Sequence, residues 1–156
     1  MSKPVFVLNG PNLNLLGTRE PAIYGAETLA DVRRRTETRA KALHLEVDFR
    51  QTNSEGMLVD WIQEARERAD GIVINAGAYT HTSVAILDAL NAAALPVIEL
   101  HLSNVFRREP FRHTSYVTPA AQGLICGFGP KGYELAIDAM ADLLAKAKSR
   151  GEAVQG

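Results

Sequence analysis

At 156 residues with a net charge of −1, 46% hydrophobic and 22% charged residues, the chain has the make-up of one globular domain. It is large enough to bury roughly 70% of its unfolded surface, and its charge balance gives no electrostatic case for nucleic acid or an anionic membrane as main partner. No apolar run approaches the roughly 18 residues of a membrane span, MSKPVFVLNG lacks the apolar stretch of a signal peptide, and Cys126 stands alone, so a cytoplasmic protein without a disulfide framework is expected.

The first short apolar, β-branched run, Pro4 to Asn9, reads as a strand. Gly10 to Ala26 (GPNLNLLGTREPAIYGA) follows as a long loop, where a strand-to-helix turn usually needs about 2–6 residues. Thr28 to Leu43 reads as a helix, its Arg33-Arg34-Arg35 run a solvated face balanced by Asp31 and Glu37. Leu45 to Thr52 is the second strand, and Ser54 is placed to cap a second helix with Leu58, Trp61, Ile62, Ala65 and Ala69 on one face. Gly71 to Asn75 is a strand, Ser83 to Ala93 a helix, and Pro96 to Ser103 a fourth strand. Asn104 to Thr118 then replaces the expected helix with an irregular, arginine-rich stretch whose Phe106, Phe111 and Tyr116 argue for order. Gly123 to Gly127 closes the set of strands, and a helix from about Gly132 to Lys148 buries Tyr133, Ala136, Ile137, Met140, Leu143 and Leu144; residues 150–156 read as a frayed tail. This alternation predicts an α/β fold: a flavodoxin-like, doubly wound, five-stranded parallel sheet with helices on both faces, in a single domain spanning 1–156.

In an open parallel sheet the ligand crevice lies beyond the carboxyl ends of the strands. Those ends are Asn9-Gly10, Gln51-Thr52-Asn53, Asn75-Ala76-Gly77 and His101-Leu102-Ser103, and apolar strands that all finish in polar residues indicate a polar pocket. Within PVIELHLSN, residues Glu99, His101 and Ser103 fall on alternate positions and so on one face. A carboxylate that fixes the tautomer of a histidine and raises its basicity sets up an acid or a base, although the two residues also fit a buried structural pair. Tyr24 and Arg19 share the first loop, and a nearby cation favours a tyrosinate, a second candidate base. Asn75 fits a turn cap as well as a ligand contact, His81 an exposed loop histidine, and Arg107, Arg108 and Arg112 solvated charges, one of them able to reach an oxygen-rich substrate.

Other motifs carry less. GFGPKG at 127–132 matches a dinucleotide fingerprint but follows the last strand, so a tight turn with Pro130 starting the final helix is the better reading. There is no phosphate-binding GxxxxGK[ST] loop, no GxSxG nucleophile elbow, no paired histidine spacing for zinc, and no buried lysine placed for a Schiff base. The inventory suggests proton abstraction, elimination or isomerisation on a polyol or keto acid, with neither metal nor cofactor, and leaves the substrate open. A flavin-binding or regulatory flavodoxin-like module is the rival from another class, disfavoured because the first loop is not a short Ser/Thr-Gly phosphate cradle.

LNGPNLNLLGTREPAIYG, INAGAYTHTS, VIELHLSN, FRHTSY and GFGPKGYELA, in this order over roughly residues 4 to 146, resemble the type II 3-dehydroquinate dehydratases. Thr52 in QTNSEG, where serine is frequent in that family, is a small departure. The resemblance implies dehydration of 3-dehydroquinate to 3-dehydroshikimate in the shikimate pathway, by anti elimination through an enolate, without metal, cofactor or Schiff base. It implies Tyr24 as base with Arg19 lowering its pKa, Asn12 holding a water at the enolate oxygen, and His101 as acid oriented by Glu99. It further implies that Asn75, Leu102 and Ser103 receive the substrate, that His81 and Arg112 meet its ring hydroxyls, and that Asp88 acts on a neighbouring subunit's site. A lid from about Leu16 to Tyr24, and trimers assembled into a homo-dodecamer, belong to the same implication.

Overall fold

A computed structural model describes residues 2–18, 22 and 26–151. Five strands, β1 (Val5–Asn9), β2 (Val47–Gln51), β3 (Gly71–Asn75), β4 (Val97–His101) and β5 (Gly123–Cys126), form one parallel sheet in the order β2-β1-β3-β4-β5. This is the doubly wound topology expected from the alternation of strand and helix patterns. Among the described residues four helices cover it: α1 (Leu29–Ala42), α2 (Glu55–Arg68), α3 (Val84–Ala93) and α4 (Lys131–Ser149).

The strands read as unbroken apolar runs because both faces of the sheet are covered. Val5, Val7, Val73, Ile98 and Leu100 pack with Val32 and Ala40 of α1 and with Ala136, Ile137 and Met140 of α4. Phe6, Leu8, Ile72, Ile74 and Val97 pack on the opposite face with Leu58 and Ile62 of α2 and Ile86 and Leu90 of α3. The alternation assigns the polar residues too. Asn9 and Asn75 continue the α1/α4 face of Val7 and Val73, whereas Glu99 and His101 continue the face of Val97.

The helix starts carry their own chemistry. Thr28 and Asp31 form a reciprocal capping box at α1, Ser54 accepts from the Met57 amide at 3.2 Å, and Ser83 accepts from the Ile86 amide at 2.9 Å, each cap contributing about 1 kcal/mol. Pro130 immediately precedes α4, as read for the GFGPKG turn. The Arg33–Arg35 run departs from its expectation in one residue. Arg33 and Arg34 pair within α1, but Arg35 reaches Glu134 of α4 at 2.6 Å and Glu27 at 2.5 Å, clamping two helices.

Strand β4 ends at His101, two residues before the expected boundary. Its last ladder partner is Cys126, after which Gly127 takes a left-handed φ of 95° and breaks the pairing. Ser103 is therefore aligned by the loop and not by strand alternation, with the Leu102 carbonyl accepting from the Gly129 amide at 3.0 Å. The stretch after Asn104 folds into three 3-10 turns, Val105–Arg107, Pro110–His113 and Thr118–Ala120. Among the described residues no helix is long and apolar enough to cross a membrane. Of the expected tail, residues 152–156 lie outside the described residues.

Candidate active site

Ladder register brings the carboxyl ends together: Asn9 lies opposite both Gln51 and Asn75. Beyond β1 the chain passes Gly10 so close to the next crossover that a Cβ there would overlap the Ala76 carbonyl. Asn12 then adopts a left-handed φ of 70°, and its amide donates to Asn53 Oδ1 at 3.0 Å. The Asn53 side chain also accepts from Gln51, while its carbonyl accepts from the Tyr79 hydroxyl at 2.7 Å. Asn53, expected only as a polar strand end, is thus the clamp that holds the start of the first loop over the sheet.

A cavity of about 700 Å³, its open mouth included, lies above these strand ends. Asn12, Asn75, His81, His101, Leu102, Ser103 and Arg112 all line it, seven of the residues that the resemblance implies. Leu13, Leu15 and Leu16 supply an apolar wall from the first loop, and Arg108 joins Arg112 on the opposite side. Arg19 and Tyr24 lie outside the described residues. Asp88 is exposed on α3 and is not part of the cavity lining.

Glu99 sits behind His101, 1% exposed, and its Oε2 accepts from His101 Nε2 at 2.6 Å. A carboxylate oxygen only accepts, so Nε2 carries a proton and Nδ1 is the nitrogen available to a ligand. Three hydroxyls complete the surroundings of Glu99: Ser115 at 2.7 Å, Thr80 at 3.0 Å, and Thr118 on the other oxygen. Ser115 Oγ accepts from the Val117 and Thr118 amides as well as donating to Glu99, and the Thr80 hydroxyl lies 2.6 Å from it. Burial pushes the Glu99 pKa up, but donation from His101, Thr118 and Ser115 outweighs it and holds the group below the usual carboxylate range. An ionised carboxylate against an imidazole stabilises the imidazolium, the form that can act as an acid.

The rest of the lining is similarly held. His81 Nδ1 donates to the Thr114 carbonyl at 2.8 Å, which leaves Nε2 as the ring nitrogen facing other partners. Arg112 pairs with Glu109 at 3.2 Å and lies 5.0 Å over the Phe111 ring, and Arg108 donates to Ser103 Oγ at 3.3 Å. The Tyr116 amide donates to the Thr80 carbonyl at 2.8 Å, tying the arginine-rich loop to the turn after β3.

Asn75 caps the turn after β3 and also lines the cavity. Its Oδ1 accepts from the Gly77 amide at 3.2 Å as a turn cap, and its Nδ2 donates to the Tyr133 hydroxyl at 3.1 Å while the residue lines the cavity. Thr80, Ser115, Thr118 and Tyr133 are the residues around the site that sequence reasoning missed. The only available signal for the hydroxyls was their density in FRHTSYVT, next to a buried glutamate that needed donors.

A family model described as "Dehydroquinase class II" matches residues 3–141. The chain is 64% identical over 143 residues to a 3-dehydroquinate dehydratase of Phenylobacterium zucineum, covering 92% of this chain and 99% of that protein. It is 62% identical over 144 residues to 3-dehydroquinate dehydratase 2 of Pseudomonas putida, covering 92% and 97% respectively. Among solved structures it resembles the type II dehydroquinase from Propionibacterium acnes at a TM-score of 0.86, with 46% identity over 91% of this chain and 98% of that one. The corresponding enzyme from Butyrivibrio crossotus gives a TM-score of 0.87, with 48% identity over 90% and 98%.

Proposed function

The chain belongs to the class II dehydroquinases, and on that premise we propose how it dehydrates 3-dehydroquinate to 3-dehydroshikimate. It is a hydro-lyase, and the reaction removes one proton and one hydroxyl from adjacent carbons of a cyclic keto acid. Tyr24, as the phenolate kept ionised by Arg19, takes the proton beside the ketone. The electron pair moves onto the carbonyl oxygen, where a water on Asn12 stabilises the enolate. Collapse of the enolate expels the hydroxyl on the neighbouring carbon, which leaves as water with a proton from His101 Nδ1.

The observation that carries this reading is the His101–Glu99 pair, an imidazole lining the cavity and backed at 2.6 Å by a buried carboxylate kept ionised by its donors. Asn75 and the backbone at Leu102 and Ser103 receive the substrate carboxylate, and His81 and Arg112 its ring hydroxyls. This arrangement supplies acid, base and binding groups from the chain itself, with no cofactor. The loop from about Leu16 to Tyr24 closes over the ligand, which fits the position of Leu16 on the cavity wall.

The same reading places the enzyme in the cytoplasm as part of the shikimate pathway, assembled from trimers into a dodecamer. Asp88, exposed on α3 and away from its own cavity, then serves a neighbouring subunit's site. Asp88→Ala is expected to weaken substrate affinity or assembly, and unchanged values of both would remove it from the site.

The test uses the product's conjugated enone, which absorbs in the ultraviolet where the substrate does not. Growth of that band on mixing EDTA-treated protein with 3-dehydroquinate, unaffected by borohydride, is the expected result. A correctly assembled protein that gives no band would overturn the reading.

A further inference from the structure

Tyr133 projects from α4, is 1% exposed, and carries its hydroxyl to the underside of the cavity floor. We propose that Tyr133 is a positioning residue: it holds the Asn75 amide so that Asn75 presents N–H, and not C=O, to an oxygen acceptor on the substrate. The inference rests on the reading of Asn75 as a substrate contact and extends it to a residue that never touches the ligand.

The case is one of direction. The Gly77 amide donates to Asn75 Oδ1 at 3.2 Å, Asn75 Nδ2 donates to Tyr133 Oη at 3.1 Å, Tyr133 Oη donates to Asn9 Oδ1 at 2.6 Å, and Asn9 Nδ2 donates to the Arg50 carbonyl at 2.9 Å. An amide N–H can only donate and a carbonyl can only accept, so the two ends fix the sense of every bond between them. Turning the Asn75 amide over would set its NH2 against the Gly77 N–H and its oxygen against a hydroxyl already committed to Asn9. With one Nδ2 hydrogen engaged by Tyr133, the second is the donor left for a ligand in the cavity. Register explains why one phenol serves both amides: Asn9 and Asn75 are ladder partners on the face that α4 covers. Burial pushes the Tyr133 pKa far up, so the hydroxyl stays a neutral donor and the chain of bonds does not change with pH.

The test is a double-mutant cycle on Tyr133→Phe and Asn75→Ala, read as KM and kcat for 3-dehydroquinate on assembled enzyme. Tyr133→Phe is expected to raise KM about 5- to 10-fold while kcat stays within about twofold, because it loosens a binding donor and leaves the acid and base in place. In the Asn75→Ala background the same substitution should change KM by less than about twofold, since the group it orients is gone. An unchanged KM in Tyr133→Phe, or an equal rise in both backgrounds, would overturn the proposal and leave Tyr133 a packing residue. An Asn75→Ala enzyme with native KM would instead overturn the reading of Asn75, and this proposal with it. Where Tyr133→Phe does not assemble, Asn9→Ser removes the hydroxyl's acceptor and goes through the same cycle. A KM raised only in the presence of Asn75 then supports the proposal, and an unchanged KM or an equal rise in both backgrounds overturns it.

Discussion

Two polar networks meet under one cavity, on opposite faces of the same sheet, and they are built differently. On the α2/α3 face, His101 hydrogen-bonds an ionised Glu99 whose other donors are loop hydroxyls at Thr80, Ser115 and Thr118. On the α1/α4 face, Asn9, Asn75 and Tyr133 form a neutral chain whose direction is set by backbone at both ends. The charged network can move a proton and must respond to pH. The neutral one can only hold an orientation. On the proposed reading, chemistry and placement are divided between the two sides of the sheet.

The largest effects should follow from removing the proposed acid, His101, or the proposed base, Tyr24. His101→Ala and Tyr24→Phe are each expected to lower kcat by about 10²- to 10⁴-fold with folding intact, as judged by circular dichroism and enone absorbance. Near-native kcat in either variant would remove that residue's role. Glu99→Gln keeps the shape but not the charge, and should lower kcat by about tenfold or more by destabilising the imidazolium. A larger fall in kcat than in Tyr133→Phe is the sharpest contrast between the two networks.

Stability should separate them as well. Glu99 has a folded-state pKa below its unfolded value, so the unfolded chain binds more protons between the two values. Its contribution is therefore complete above the ordinary carboxylate pKa of about 4.3 and is lost as pH falls through the lowered folded value. Denaturant unfolding of wild type and Glu99→Gln between about pH 6 and pH 3 should show the gap between them closing on acidification. A gap independent of pH would mean that Glu99 is not held ionised. Tyr133→Phe should show the same stability deficit across that whole range. The smallest effect belongs to Ser115→Ala, which removes one of the donors to Glu99 and leaves the Val117 and Thr118 amides without their acceptor. A loss of about 1–3 kcal/mol in stability, with a kcat lowered less than in Glu99→Gln, is expected from denaturant and rate measurements.

Much of this was legible in the chain. Apolar runs ending in Asn or His marked the strands, and apolar stripes with a cap at Ser54 marked helices close to those observed, because period and capping are local properties. Glu99 betrayed itself by lying inside a core strand. Its hydroxyl donors did not, since Thr80, Ser115 and Thr118 come from two separate loops and only tertiary folding brings them together. Tyr133 reads as core, which its ring is; a helical stripe says nothing of where a hydroxyl at its edge will land. Arg35 reads as solvated because its partner Glu134 lies 99 residues away. Ser103 keeps its place in the site although the strand expected to align it stops at His101.

In the proposed reaction His101, backed by Glu99, delivers the proton to the departing hydroxyl while a separate base removes the proton beside the ketone. The most direct test incubates His101→Ala with 3-dehydroquinate in deuterium oxide and follows both enone absorbance and deuterium in the recovered substrate. Deuterium beside the ketone with almost no enone is expected, because the base still works and the acid is gone. Enone formed at the wild-type rate would contradict the proposed reaction.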